Sequence, residues 1–380
     1  MTRPHQWLFL GWFLAVIFCV PLSQAGLEIS RGRRPQFLDV FSAAPTTANL
    51  RAYERQLEDS SRWAQAVRPY VQYVWFKLLG DAGEKVIVGR QGWLFYKPDV
   101  RYLVEPRPDM DEPFAAIADF RDQLKLRGID LIVMPVPGKP AVYPEKLTRR
   151  ADGDDSIRSH TLELMDRLQK SGVEIVDLFY LFHRLRAGAE TAAPAYLLRD
   201  THWSGQAARL AALMVASRIR ERGWPDSNGA EYELRERRIP RRSDIARMIR
   251  VPDIEATYPP EEVVCEQVVR ADTGELYRDD PNSTVLVLGD SFLRMYQTDD
   301  PRAAGFIAHL ARALRQPLAS VVNDGGASTL VRQELSRRPE LLNGKRLVVW
   351  EFVERDIRYG TEGWKQVPLP ALTPAPSRNP

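Results

Sequence analysis

Val285-Leu286-Val287-Leu288-Gly289-Asp290-Ser291-Phe292-Leu293 decides the fold class. Four consecutive valines and leucines make a short apolar run, the pattern of a strand buried on both faces. The run stops at a glycine, an acid and a serine. Gly289 carries no Cβ and permits a sharp turn. A turn at the end of a buried strand lifts the next side chain to the rim of the sheet, where α/β folds place ligands and chemistry. Ser291 therefore stands exposed at that rim, where a helix begins. A serine needs a base and an orienting group to act as a nucleophile. Asp200-Thr201-His202-Trp203 offers both.

Outward from that stretch the chain alternates strand and helix. Leu131–Pro137, Val173–Val176, Ala319–Val322 and Leu347–Phe352 read as buried strands. Phe114, Ile117, Phe120 and Leu124 mark a helix that closes near Gly128, and Ile157–Lys170 and Ala303–Leu314 read as two more. Val86–Tyr96 reads as two short strands around a glycine turn. The alternation predicts βαβ units and a mainly parallel sheet. Ser204 is a good N-cap for a helix that ends at Gly223, with Leu210, Leu213, Met214 and Ser217 on one face. Asp200 and His202 lie in the turn before it. Residues two apart in an extended turn project the same way, so both side chains can enter one site.

The ends and the insertions differ from this core. Trp7–Val20 is an almost unbroken apolar run after Arg3 and His5, followed by the small residues Ser23-Gln24-Ala25: an export signal or an uncleaved anchor. Glu28–Asn49 reads as a linker. Leu50, Tyr53 and Leu57, then Val67, Val71, Val74 and Leu78, follow helical spacing, with a break expected at Pro69. Trp224–Asn282 reads as an irregular insertion with hairpin character at Glu262–Val269. Val367–Pro380 is Pro-rich and reads as a disordered tail. The 380 residues are 44% hydrophobic with a formal net charge of +3, enough for a sizeable core and too little for a strong overall field. The basic clusters Arg31–Arg34 and Arg235–Arg242 read as solvated surface, and no aromatic-interleaved basic stripe points to nucleic acid. Two cysteines, Cys19 in the apolar run and Cys265, give no disulfide framework and no metal spacing.

The chemical expectation is a triad: Ser291 as nucleophile, His202 as base and Asp200 as orienter. Backbone N–H groups at Ser291 and at Gly325 or Gly326 are the expected oxyanion donors. Each motif also has a structural reading. Gly289-Asp290-Ser291 is a capped helix start, and His202 is a histidine bonded to its own loop. His160, His183 and His309 show no ligand spacing, so no metal is expected, and no cofactor.

Gly289-Asp290-Ser291-Phe292 resembles the first block of SGNH hydrolases. With Asp200-Thr201-His202-Trp203 placed before the serine, the order is permuted and resembles the periplasmic alginate O-acetyltransferase family of AlgJ/AlgX type. The likeness extends to Gly89–Phe95, to Pro135–Lys139 with Tyr143–Leu147, and to Trp350–Arg355. It implies a three-layer α/β/α SGNH hydrolase-like domain with a mainly parallel sheet, preceded by an N-terminal helical segment. The expected boundaries are a signal or anchor over 1–25, linker and helical segment over 26–85, the domain over 86–365 and the tail over 366–380. By the resemblance Ser291, His202 and Asp200 are catalytic; Asn323 and Glu351 join Gly325 and Gly326 as oxyanion or supporting candidates. The chain ends soon after its last strand, like the membrane-tethered members without a carbohydrate-binding module.

The activity implied is acetyl transfer to hydroxyls of an exported polysaccharide, alginate or a similar polymer. A membrane-bound O-acyltransferase partner would supply the acetyl group, beside other polymer export proteins, and the location is periplasmic. Lys139, Arg199, Arg294 and Tyr296 are the expected contacts to an anionic sugar. Two rival functions share the same residues: a polysaccharide acetylesterase, and a non-catalytic scaffold of an export complex.

Overall fold

The computed structural model describes residues 3–42, 44–151, 158–187, 194–223 and 229–370. The chain divides into two compact units, residues 1–81 with 250–253, and residues 82–249 with 254–380.

The first unit is helical: Arg3–Ile29, a 3-10 turn at Gln36–Phe41, then Thr47–Ser60 and Arg62–Leu79. Leu10–Ile29 has a mean hydropathy of 1.8 and is long and apolar enough to cross a membrane. Two expectations change here. The stretch read as linker starts inside the first helix and contains the 3-10 turn. The break expected at Pro69 falls at Ser61 instead, and Pro69 lies inside the second helix of the pair. The apolar spacing of Val67, Val71 and Val74 runs through the proline, so one lost hydrogen bond does not end the helix.

The second unit is built on a five-stranded sheet. Its strands are β3 (Asp130–Val136), β4 (Glu174–Ile175), β7 (Val285–Gly289), β8 (Ala319–Val322) and β9 (Leu347–Val353). Two strands before it, β1 (Val86–Val88) and β2 (Leu94–Tyr96), form a hairpin. Between β4 and β7, β5 (Tyr232–Arg241) pairs antiparallel with β6 (Glu261–Arg270). The central order is β4-β3-β9-β7-β8, with every pairing parallel. Alternate residues of each strand enter two separate apolar cores: Val285 and Val287 one, Leu286 and Leu288 the other. That two-sided burial explains why β7 reads as a continuous apolar run rather than an alternating one. Helices cover both faces, giving the three-layer α/β/α architecture. The carboxyl ends of β3, β7 and β9 meet at one edge, where open α/β sheets hold their ligands.

The helix Gly205–Glu221 packs through a different face from the one expected. Ala207, Ala208, Ala211, Ala212, Val215 and Ile219 are buried, while Leu210, Leu213 and Met214 are half-buried. The small alanines let it lie close against the helix Phe306–Leu314. The latter begins at Phe306 rather than Ala303, because Arg302 and Ala303 have left-handed backbone. The helix expected from Ile157 runs over Thr161–Lys170; residues 152–157 lie outside the described ones. The region read as an irregular insertion holds the ten-residue ribbon β5–β6, apart from 224–228, which are not described. The expected tail is packed at its start: Val367 and Leu369 are buried, and Gln123 hydrogen-bonds the backbone of both. Residues 371–380 lie outside the described ones.

Candidate active site

Gly289 closes β7 with ordinary backbone, and what it supplies is room. A Cβ there would fall 2.3 Å from Glu351 Oε2 and 2.6 Å from Leu293 Cδ1. Asp290 then caps the short helix Ser291–Arg294, its carboxylate accepting the Phe292 N–H at 2.8 Å. Ser291 opens that helix at the floor of a cleft of about 860 Å3.

Across the cleft the loop 197–203 is held flat by a bridge between Tyr196 and Trp203. Trp203 is wholly buried and packs edge-on to Phe292, the residue after the serine. His202 is thereby aimed at the serine, with Nε2 2.9 Å from Ser291 Oγ. Its Nδ1 lies 2.7 Å from Asp200 Oδ1, which also accepts the His202 N–H at 3.1 Å. Asp200 can only accept, so the proton on the ring sits at Nδ1 and Nε2 is free to accept from the serine hydroxyl.

The loop is fastened by four side chains. Lys139 Nζ donates to the carbonyls of Leu94 at 2.7 Å, Leu198 at 2.6 Å and Asp200 at 3.2 Å. Glu261, at the start of β6, accepts from the N–H groups of Leu198 and Arg199 at 2.9 and 2.8 Å. Asp244 accepts from Thr201, from its N–H at 2.9 Å and its hydroxyl at 2.5 Å. The last residue of β5, Arg241, donates to Asp200 Oδ2 at 3.2 Å.

The electrostatics follow from this packing. Burial by itself raises the Asp200 pKa, but the His202 hydrogen bond and the charges of His202 and Arg241 outweigh it and hold the carboxyl well below its ordinary value. Burial disfavours the charged imidazole of His202, yet its bond to Asp200 and the nearby carboxylates leave the pKa raised. Asp244 is pushed up by burial and by Asp200. Asp200, His202 and Asp244 bring ligand-type atoms within 4.8 Å of one another. Those atoms are engaged with one another, with Thr201 and with Arg241, which puts a guanidinium where a cation would compete.

The remaining expected site residues separate. Gly325 lines the cleft with left-handed backbone (φ 67°), and among the described residues its N–H is not hydrogen-bonded. Gly326 is buried and spends its N–H on the Asn323 carbonyl at 2.9 Å. Asn323 lines an adjoining depression instead of the cleft. Glu351 lies beneath the floor, wholly buried, its Oε2 accepting the Asp290 N–H at 3.1 Å. Burial, reinforced by the charge of Asp290, raises its pKa well above the ordinary value. Of the four expected sugar contacts only Arg294 lines the cleft, paired to Asp324 at 2.9 Å and Asp299 at 2.5 Å. Lys139 and Tyr296 are buried in the core, which corrects the expectation that they meet a sugar. Arg199 stacks over Tyr258 and donates to the Pro259 carbonyl, outside the cleft lining.

The sequence reading missed Arg241, Asp244 and Glu261. Arg241 hid in the Arg235–Arg242 run, where nothing marks one arginine of many as the one facing an acid. Ser243-Asp244 does carry a local signal, since Ser243 caps a helix by accepting the Ala246 N–H at 2.9 Å.

Residues 86–354, well over half of the chain, match the family described as SGNH hydrolase-like domain, acetyltransferase AlgX. A Pseudomonas fluorescens protein named as a probable alginate O-acetylase AlgJ is 25% identical over 376 residues, covering 95% of this chain and 90% of its own length. The alginate biosynthesis protein AlgX of Pseudomonas aeruginosa is 24% identical, covering 70% of this chain and 55% of its own. Among solved structures, the O-acetyltransferase domain of Pseudomonas putida AlgJ superposes with a TM-score of 0.55 at 22% identity, covering 71% of this chain and 91% of that one. That likeness speaks to the fold alone. The chain belongs to the family of SGNH hydrolase-like acetyltransferase domains of AlgX type.

Proposed function

We propose that this protein transfers acetyl groups through Ser291 to hydroxyls of an exported polysaccharide, alginate or a similar uronate polymer. The observation that carries the reading is the unbroken hydrogen-bonded run from Ser291 Oγ to His202 to Asp200 at the floor of an open cleft. Family membership supports acetyl as the group moved, and the names of the AlgJ relatives support the polymer.

In this reading His202 Nε2 takes the proton of Ser291 as Oγ attacks the acetyl carbonyl, and Asp200 stabilises the imidazolium formed. The oxyanion is held by the N–H groups of Ser291 and Gly325, both unengaged among the described residues. The donor's leaving group takes the proton back from His202, which leaves an acetyl ester on Ser291. A sugar hydroxyl then gives its proton to His202 and attacks that ester. Collapse of the second tetrahedral intermediate returns the proton to Ser291 and releases the acetylated sugar. The apolar helix Arg3–Ile29 supports an anchor in the inner membrane with the second unit in the periplasm, within reach of a membrane-bound acyltransferase that supplies the acetyl group.

The test is incubation of the detergent-solubilised full chain with a chromogenic acetyl ester, with and without an oligouronate. Serine-dependent acetylation of the oligomer supports transfer. Acetate release with no acetylated oligomer points to an esterase.

A further inference from the structure

We infer that the Ser291 cleft is one end of a longer groove, and that its far arm, carrying Arg278 and Arg302, is a subsite for carboxylates of an anionic polysaccharide. The inference rests on the proposed function and adds where on the protein the acceptor chain is held.

The groove is continuous. A second depression of about 730 Å3 shares Arg294, Thr298 and Asp324 with the Ser291 cleft. A third, of about 410 Å3, shares Arg278, Gln297 and Thr298 with the second and adds Arg302. The segment that follows the nucleophile contributes to all three, so one stretch of chain paves the path away from Ser291. The ion pair of Arg294 with Asp324 forms the saddle between the first two. A closed pocket suits a small ester. A path that leaves the reactive serine and continues across two more depressions suits a chain.

The arginines of the far arm are available to a ligand. Of the arginines lining the Ser291 cleft, Arg241 is paired with Asp200 and Asp299, Arg242 with Glu255, Arg294 with Asp299 and Asp324, and Arg355 with Asp99, while Arg247 makes no side-chain pair among the described residues. Arg278 and Arg302 are exposed and make no side-chain hydrogen bond or ion pair among the described residues. The acids of that arm are Glu275, Asp279 and Asp324; the Asp279 carboxylate accepts from Ser320 and Gln297, and Asp324 is paired with Arg294. A free guanidinium offers a planar fork that matches a carboxylate. Ser291 thus takes the hydroxyl, while the two unpaired guanidinium groups of the far arm bind the carboxylates of neighbouring sugars.

The test compares the full chain with its R278A/R302A double variant in detergent. Three quantities are read: serine-dependent hydrolysis of a chromogenic acetyl ester, direct binding of a long oligouronate by titration, and acetyl transfer to a long oligouronate, a uronate dimer and a neutral cellulose-derived oligomer. Hydrolysis occurs at Ser291 and reports an intact site, so it stays at the wild-type rate. Affinity for the long oligouronate falls about tenfold in the double variant, and the wild-type preference for it over the dimer and the neutral oligomer disappears. Added salt weakens the wild-type interaction more than the variant's. Unchanged affinity in the double variant, or equal use of neutral and anionic oligomers by the wild type, overturns the inference. If the wild type binds the oligouronate through these arginines but acetylates nothing, the transfer reading fails while the subsite stands.

Discussion

Lys139 Nζ donates to the main-chain carbonyl of Asp200 at 3.2 Å, which joins the turn after the first core strand to the acid of the candidate triad. Two further carbonyls, of Leu94 and Leu198, complete its shell, and the rings of Trp93 and Phe95 flank it at 5.0 and 5.4 Å. Burial pulls its pKa down to about 7. A lysine in a Pro-Val-Pro-Gly-Lys loop suggests a hand for an anionic sugar. Here it is a fastener that fixes where Asp200 and His202 can stand.

Replacing Lys139 with Met removes the donor to the buried carbonyls of Leu94 and Asp200, while that of Leu198 keeps the Leu94 N–H at 2.9 Å. Each carbonyl left unpaired costs about 1–3 kcal/mol. The expected result is a fall in melting temperature of roughly 6–12 °C, with turnover reduced for a small acetyl ester and for polymer alike. A variant with wild-type stability that loses only polymer affinity would return Lys139 to the substrate.

The pH profile reports on Asp200. In the proposed mechanism His202 is a base only when neutral, so turnover is expected to fall as pH drops through its raised pKa. In an Asp200→Asn variant the imidazolium loses its partner, and the acidic limb moves to lower pH. The plateau rate drops about 10^4-fold, the scale found when a triad carboxylate is neutralised. An acidic limb that stays in place would show that another group controls it.

Burial and the charge of Asp290 favour the neutral form of Glu351, so glutamine should replace it well. Glu351→Gln keeps turnover within about twofold, because the amide oxygen still accepts from Asp290 N–H. Glu351→Ala strands that buried N–H and costs about 1–3 kcal/mol in urea unfolding. The linkage sign also follows. A carboxyl whose folded pKa is raised above its ordinary 4.5 binds more protons folded than unfolded, so it lowers stability as pH rises from there towards neutrality. The Gln variant loses less stability over that window. If Gln is as damaging as Ala, the site requires the ionised acid.

Gly289→Ala tests the crowding under Ser291. The added methyl meets Glu351 Oε2 at 2.3 Å and Leu293 Cδ1 at 2.6 Å. Overpacking of this kind costs about 1–3 kcal/mol and displaces the turn that carries Ser291. Ester turnover should drop steeply in the fraction that remains folded by circular dichroism. Unimpaired turnover would mean that the turn relaxes freely.

The parallel core was legible because its signal is local: β7, β9 and most of β3 are runs of apolar residues whose two-sided burial leaves nothing to alternate. The order Asp200, His202, Ser291 was equally visible, since each residue sits at a strand-to-helix or loop-to-helix junction. The ribbon β5–β6 was not. Tyr232–Arg241 is rich in charge, and its strand character comes from pairing residue by residue with Glu261–Arg270, across a gap that local propensity does not see. The functions of Lys139, Arg241 and Glu261 hid for the same reason. A charged side chain announces its charge, but its partner is set by tertiary packing.

The most direct measurement is intact mass of the full chain after brief exposure to a chromogenic acetyl ester, followed by addition of an oligouronate, with Ser291→Ala run in parallel. The account predicts a single acetyl adduct on the wild type that disappears as the oligomer gains acetyl, and neither adduct nor acetylated oligomer with the alanine variant. Acetylated oligomer produced at the same rate by the Ser291→Ala protein would contradict it.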